Sequence, residues 1–291
     1  MTSGFIITYV AQRENRIEFI IKRIIRIYPP LIFSFILILG IDYLYTAIKG
    51  VSTYWGQFTT SQYIYEMTLM NYILGKSNFI NGVTWSLIIE LIFYFLCFCL
   101  INYIKKYPKV TLAIIIIFCY IITSMSYFNE SLINNLVIRS ISYIPYLIFG
   151  QIIYYLWSGR IKFKEFIFFN LINYYLMIKN TMLFNIQYYA EGNSYGVSFM
   201  YAYLIFIIAL LLNDRIKINR SINFISNISY SLYLNHSTVG GLVLSELYIK
   251  FGFSVAFICA FCCSVCVAFM SYRFIEIPLM KKAKKICIRF K

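Results

Sequence analysis

Residues 81–95 read NGVTWSLIIELIFYF, and the fold turns on how that run is read. From Trp85 onward it is apolar except for Ser86 and Glu90, and the apolar character continues to about residue 104. A stretch of ~20 such residues is long enough to cross a bilayer's hydrocarbon core as a helix. An ionised carboxylate near the centre of that core costs about 2.5–3.5 kcal/mol, so Glu90 is expected to face a polar cavity or a partner inside a bundle. The local alternatives are snorkelling outward or sharing a hydrogen bond with Ser86 or Thr84.

The rest of the chain has the same character. It is 61% hydrophobic and 13% charged, with a mean hydropathy of +0.73, whereas soluble domains carry about 25% charged residues. A soluble globular protein is excluded, and the fold class is all-α: a polytopic transmembrane helix bundle forming one domain over 1–291. Eight spans are expected, near 29–48, 84–104, 109–128, 137–157, 163–179, 195–213, 223–247 and 253–272. The net charge of +15 does not point to nucleic acid, because the cations sit in short clusters between apolar runs. Of the 26 Lys and Arg, 21 fall in 11–28, 105–109, 158–164, 213–220 and the tail from 273. Lys49, Lys76, Arg139, Lys179 and Lys250 make up the other side. By the positive-inside rule both termini are cytoplasmic, which an even number of spans also requires. Residues 49–83 are then the longest outer connection, with helical periodicity in TTSQYIYEMTLMNYIL.

CAFCCSVC (259–266) contains two C-x-x-C units, but at helical spacing its cysteines share one face of a span and act as small packing residues. No metal is expected there. FIIKRIIRIYPP (19–30) brings Lys22, Arg23 and Arg26 to the mouth of a span, with Pro29 and Pro30 expected to stop one helix and start the next. The cations read either as a topology anchor or as a phosphate clamp, since guanidinium forks bind phosphate oxygens bidentately. NISYSLYLNHSTV (227–239) repeats Tyr230, Tyr233 and Ser237 at helical spacing beside His236, the chain's one histidine. His is the usual general base for acylating a hydroxyl, although a lone histidine also serves structure. In SYRFIEIPLMKK (271–282), Arg273 and Glu276 are spaced for an intrahelical ion pair.

In order, SGFIIT, KRIIRIYPP, WSLIIELIFYF, ISYSLYLNH and SYRFIEIP resemble the membrane acyltransferase-3 family over nearly the whole chain, from Ser3 to Pro278. The resemblance implies a bundle of about ten helices in the bacterial inner (plasma) membrane. It implies O-acylation, mostly O-acetylation, of cell-surface polysaccharides and other glycans, with acetyl-CoA or another acyl-CoA as cytoplasmic donor. Arg23 and Arg26 would hold the CoA side; Trp85, Ser86 and Glu90 would line the passage outward; Tyr230, Tyr233 and His236 would contribute from a late helix. Glu90 and His236 are the catalytic candidates on this chain. SGFIIT matches the end of the family's second helix, so the family's first helix and its basic histidine fall before Met1.

The leading expectation is therefore acyl transfer from acyl-CoA to a hydroxyl of a glycan or lipid-linked saccharide, without metal or nucleic acid, in contact with membrane lipid. The alternative is a catalytically inactive, N-terminally truncated chain, or a subunit completed by a partner chain. A transporter using Glu90 as a proton relay is the weakest, because one buried carboxylate without a second in another span relays poorly.

Overall fold

In the computed structural model every regular element among the described residues is helical, and those residues are 1–75, 80–126, 128–129, 135–184, 193–213, 215, 217 and 219–288. Lys76, one of the expected outer cations, and the last three residues of the basic tail lie outside them. Long continuous apolar runs form helices in lipid, because a helix satisfies each backbone N–H and C=O within its own segment. In chain order they are α1 (Thr2–Arg13), α2 (Arg16–Lys49), α3 (Thr60–Met67), α4 (Met70–Ile73) and α5 (Thr84–Cys99). Next come α6 (Ile101–Lys106), α7 (Pro108–Met125), α8 (Leu136–Ile141), α9 (Ile144–Trp157), α10 (Phe163–Leu183) and α11 (Asn193–Leu211). The last are α12 (Arg220–Asn235), α13 (Gly241–Ser271) and α14 (Ile277–Ile288), joined by π-helical turns at His236–Gly240 and Tyr272–Glu276.

Four stretches are long and apolar enough to cross a membrane: Arg16–Lys49, Pro108–Met125, Leu136–Trp157 and Arg220–Ile288. Thr84–Cys99 and Gly196–Leu211 are apolar but shorter. Seven of the eight expected ranges are centred on a helix, and 223–247 straddles the end of α12, the His236–Gly240 turn and the start of α13. α10 falls short on hydropathy because Lys164, Glu165, Asn170, Asn173 and Lys179 dilute it. The ranges 223–247 and 253–272 fall in one continuous helical run, interrupted at Gly252, whose φ of 76° takes the chain out of helix between them. Only glycine adopts that conformation without steric cost.

One expectation is corrected here. Pro29 and Pro30 do not end a helix; both sit inside the 34-residue α2. Proline removes an N–H and crowds the carbonyl four residues back, but membrane helices tolerate it where neighbours supply other partners. The Tyr230 hydroxyl donates to the Ile27 carbonyl at 3.0 Å, next to the Ile25 and Arg26 carbonyls that the two prolines leave without an α-helical N–H.

The chain divides into two units, with boundaries inside α2 and α5. The first comprises Met1–Ile20 and Ile88–Lys217. In it α1 lies backbone to backbone on α9: a Cβ on Gly4 would stand 1.9 Å from the Leu147 carbonyl oxygen, and one on Gly150 1.9 Å from that of Met1. Small residues at a crossing are how membrane helices approach closely, since lipid gives no hydrophobic drive between them. Phe149, Met177 and Phe199 form a buried cluster beside this crossing. Asn173 and Asn180 of α10 donate to the Pro145 and Ser142 carbonyls at 2.9 and 3.2 Å, fastening α10 to α9 and its entry. The second unit comprises Ile21–Leu87 and Ile218–Lys291 and is built on α12 packed along α13. Many apolar side chains of these helices point outward, among them Ile36, Leu171, Ile205 and Ile258, as surfaces solvated by lipid do.

Candidate functional site

Glu90, which posed the opening problem, belongs to the first unit. Its side chain is half-buried; Oε1 accepts the Ser3 hydroxyl at 2.7 Å and Oε2 the Tyr94 hydroxyl at 3.0 Å. Tyr94 is buried and edge-on to Phe19. The local partners anticipated for Glu90 are thus replaced: Thr84 and Ser86 spend their hydroxyls elsewhere, while Tyr94 meets the carboxylate from one helical turn further on. Helical spacing alone could have named Tyr94. Ser3 lies 87 positions away, and only the α1 packing brings it in.

The other candidate residues belong to the second unit. The Ser86 and Tyr233 hydroxyls are 2.7 Å apart, and Tyr233 also donates to the Val83 carbonyl at 3.1 Å. His236 Nδ1 lies 2.8 Å from the Tyr233 carbonyl oxygen, where the helix passes into the His236–Gly240 π-turn. A carbonyl cannot donate, so that bond requires a proton on Nδ1; in the neutral ring the lone pair is then on Nε2. His236, Tyr233, Ser229 and Ser237 line an open, largely apolar groove of about 610 Å³ flanked by Phe257, Phe261 and Ser264 of α13. Apolar walls with a few convergent polar groups are what a small-molecule site requires. Trp85 is largely exposed, and Tyr230 is committed to the α2 backbone.

The two arginines differ in setting. Arg23 is buried, whereas Arg26 is exposed and within the electrostatic reach of Glu276. Glu276 corrects a second expectation, because it does not pair with Arg273: it accepts the Ser231 hydroxyl at 2.5 Å. The segment from Tyr272 to Glu276 is π-helical, which changes the register that an i, i+3 pair presumes. Cys259, Cys262, Cys263 and Cys266 share α13 as expected, but the last three are exposed on its outer surface, not packed inside. Among the described residues no group of His, Cys, Asp and Glu is arranged to hold a metal ion.

A fully buried polar cluster centres on Glu66, outside all the candidate stretches of the sequence. Glu66 of α3 is fully buried, and its carboxylate accepts the backbone N–H of Ile80 and that of Asn81 (3.1 Å) and the Thr84 hydroxyl (2.9 Å). Burial pushes its carboxyl up from 4.5 to about 7 against the pull of those three donors. Buried Tyr72, 3.3 Å from the Thr84 hydroxyl, is raised as well, chiefly by desolvation. No motif marks Glu66; the one signal was a carboxylate on an otherwise uncharged helical stretch.

An all-helical membrane chain with a histidine-lined groove and carboxylates held by hydroxyls is the class of protein the fold and these residues define. The acyltransferase-3 family model, an acyltransferase domain, matches residues 1–273. The chain belongs to that family. No curated protein and no solved structure matches it.

Proposed function

We propose that the chain transfers a short acyl group, acetyl in the first instance, from acyl-CoA to a hydroxyl of a cell-envelope glycan or lipid-linked saccharide. Family membership carries acyl transfer in general. The observation that supports the finer reading is the His236 ring, whose Nδ1 is engaged by a carbonyl and whose Nε2 is left as the basic nitrogen of a groove-lining residue. In the proposed reaction His236 takes the acceptor hydroxyl's proton, the oxygen attacks the thioester carbonyl, and the C–S bond breaks. The CoA thiolate leaves and recovers the proton from the imidazolium. Arg23 and Arg26 hold CoA phosphates at the cytoplasmic face of the inner membrane, where both termini lie; holding the donor in place contributes to rate through positioning. Ser86 and Tyr233 orient the acceptor, and Glu90, held by two hydroxyls, is the second catalytic candidate.

The test is transfer of labelled acetyl from acetyl-CoA into envelope glycan by membranes carrying this chain. Arg26→Ala raises KM for acetyl-CoA and His236→Gln removes turnover, each with unchanged membrane insertion. Wild-type turnover in His236→Gln would remove the histidine from the chemistry.

A further inference from the structure

The hydrogen bonds of the second unit form a continuous chain that starts at Glu66 and ends at the His236 ring. Glu66 accepts the N–H groups of Ile80 and Asn81 and the Thr84 hydroxyl, so one carboxyl group sets the backbone that enters α5. That stretch then grips the last turn of α12 at two points. The Asn81 side chain, fully buried, donates through Nδ2 to the Leu234 carbonyl at 3.1 Å and to the Ser34 hydroxyl at 3.2 Å. The Val83 carbonyl accepts the Tyr233 hydroxyl at 3.1 Å, and Ser86 meets the same hydroxyl at 2.7 Å. Tyr233 and Leu234 are the residues whose placement fixes His236, since the Tyr233 carbonyl holds Nδ1.

We infer that Glu66 is a positioning residue for the acyl-transfer site, acting through Asn81 and the 80–84 turn to hold the end of α12 and the His236 ring in register. The inference rests on the proposed role of His236. Glu66 touches no reacting atom in this scheme. Its carboxylate presents two oxygens to three donors from one short segment, which no amide or hydroxyl of similar size can do. Glutamine keeps one acceptor but turns an N–H₂ toward a donor, so Glu66→Gln loosens the turn without emptying the space. Displacements of about 1 Å at a reacting group cost up to ~100-fold in rate.

Because His236 is the chain's one histidine, its ring can be read directly. ¹⁵N-histidine NMR of the full chain in membranes is predicted to show the Nδ1–H tautomer in the wild type. In Glu66→Gln and in Asn81→Ala the signal is predicted to move toward the Nε2–H tautomer, with a turnover loss of about 10- to 100-fold and little change in KM for acetyl-CoA. Asn81→Ala leaves the Glu66 carboxylate and the backbone donors in place, so it remains informative if Glu66→Gln does not fold. The double variant loses no more than the worse single one, as members of one network do. An unchanged tautomer in both variants, or losses that add fully, would overturn the inference. The NMR readout does not depend on acyl transfer: a chain without transferase activity that still shows the tautomer shift would refute the proposed function and leave the network standing.

Discussion

Glu90 and Glu66 are both carboxylates in an overwhelmingly apolar chain, and they are held in opposite ways. Glu90 is half-buried and takes two side-chain hydroxyls, from Ser3 and Tyr94. Glu66 is fully buried and takes two backbone N–H groups and one hydroxyl, all within Ile80–Thr84. A carboxylate fed by rotatable hydroxyls can change partners at small cost, which suits a group that meets substrate. One fed by backbone amides is part of the backbone's own accounting, since those donors have no other acceptor once buried. The difference is one of setting: rotatable side-chain donors surround Glu90, and mainly fixed backbone donors surround Glu66.

The sharpest way to break that contrast is Glu66→Ala. It leaves buried donors without an acceptor, at roughly 1–3 kcal/mol each, so folded protein in the membrane is predicted to fall severely by thermal denaturation in detergent. If Glu66→Ala is as stable as the wild type, the architectural reading fails.

Glu90→Ala is the counterpart. It removes the acceptor of two side-chain hydroxyls, which can rotate to other partners; the predicted stability loss is about 1 kcal/mol, with acetyl transfer reduced far more than stability. A large stability loss with normal turnover per folded molecule would make the two glutamates alike.

The third and smallest effect is on pH dependence. Glu66 has its carboxyl raised by burial from 4.5 to about 7. Between those values the folded state holds more protons than the unfolded one, so this contribution to stability is complete below about 4.5 and is lost as pH rises through about 7. Melting temperature in that window is predicted to decline with pH in the wild type, and Glu66→Gln removes that part of the decline. A slope that the substitution leaves unchanged would show that Glu66 does not titrate there.

How much was legible in advance differs between these two residues. Glu90 announced itself, because a charge inside an apolar run is expensive and must be answered. Its answer was half legible: Tyr94 follows from helical spacing, whereas Ser3 depends on Gly4 and Gly150 letting α1 and α9 touch. Glu66 sits in a polar connection where a carboxylate raises no alarm, so its burial was invisible. Pro29 and Pro30 misled for a related reason: the local rule that proline ends a helix takes no account of the membrane setting, in which proline is tolerated inside helices.

By itself the sequence determined the all-helical membrane class, because apolar composition and segment length leave a chain in lipid no other economical way to satisfy its backbone. It also determined which residue types were at hand for acyl transfer. Only the tertiary structure decided which of them meet. It put Ser3 on Glu90, Ser86 on Tyr233 and Asn81 on Leu234, contacts that span 87, 147 and 153 positions of chain. Side-chain periodicity is a local property, and it carries no information on which helix face a distant segment will cover.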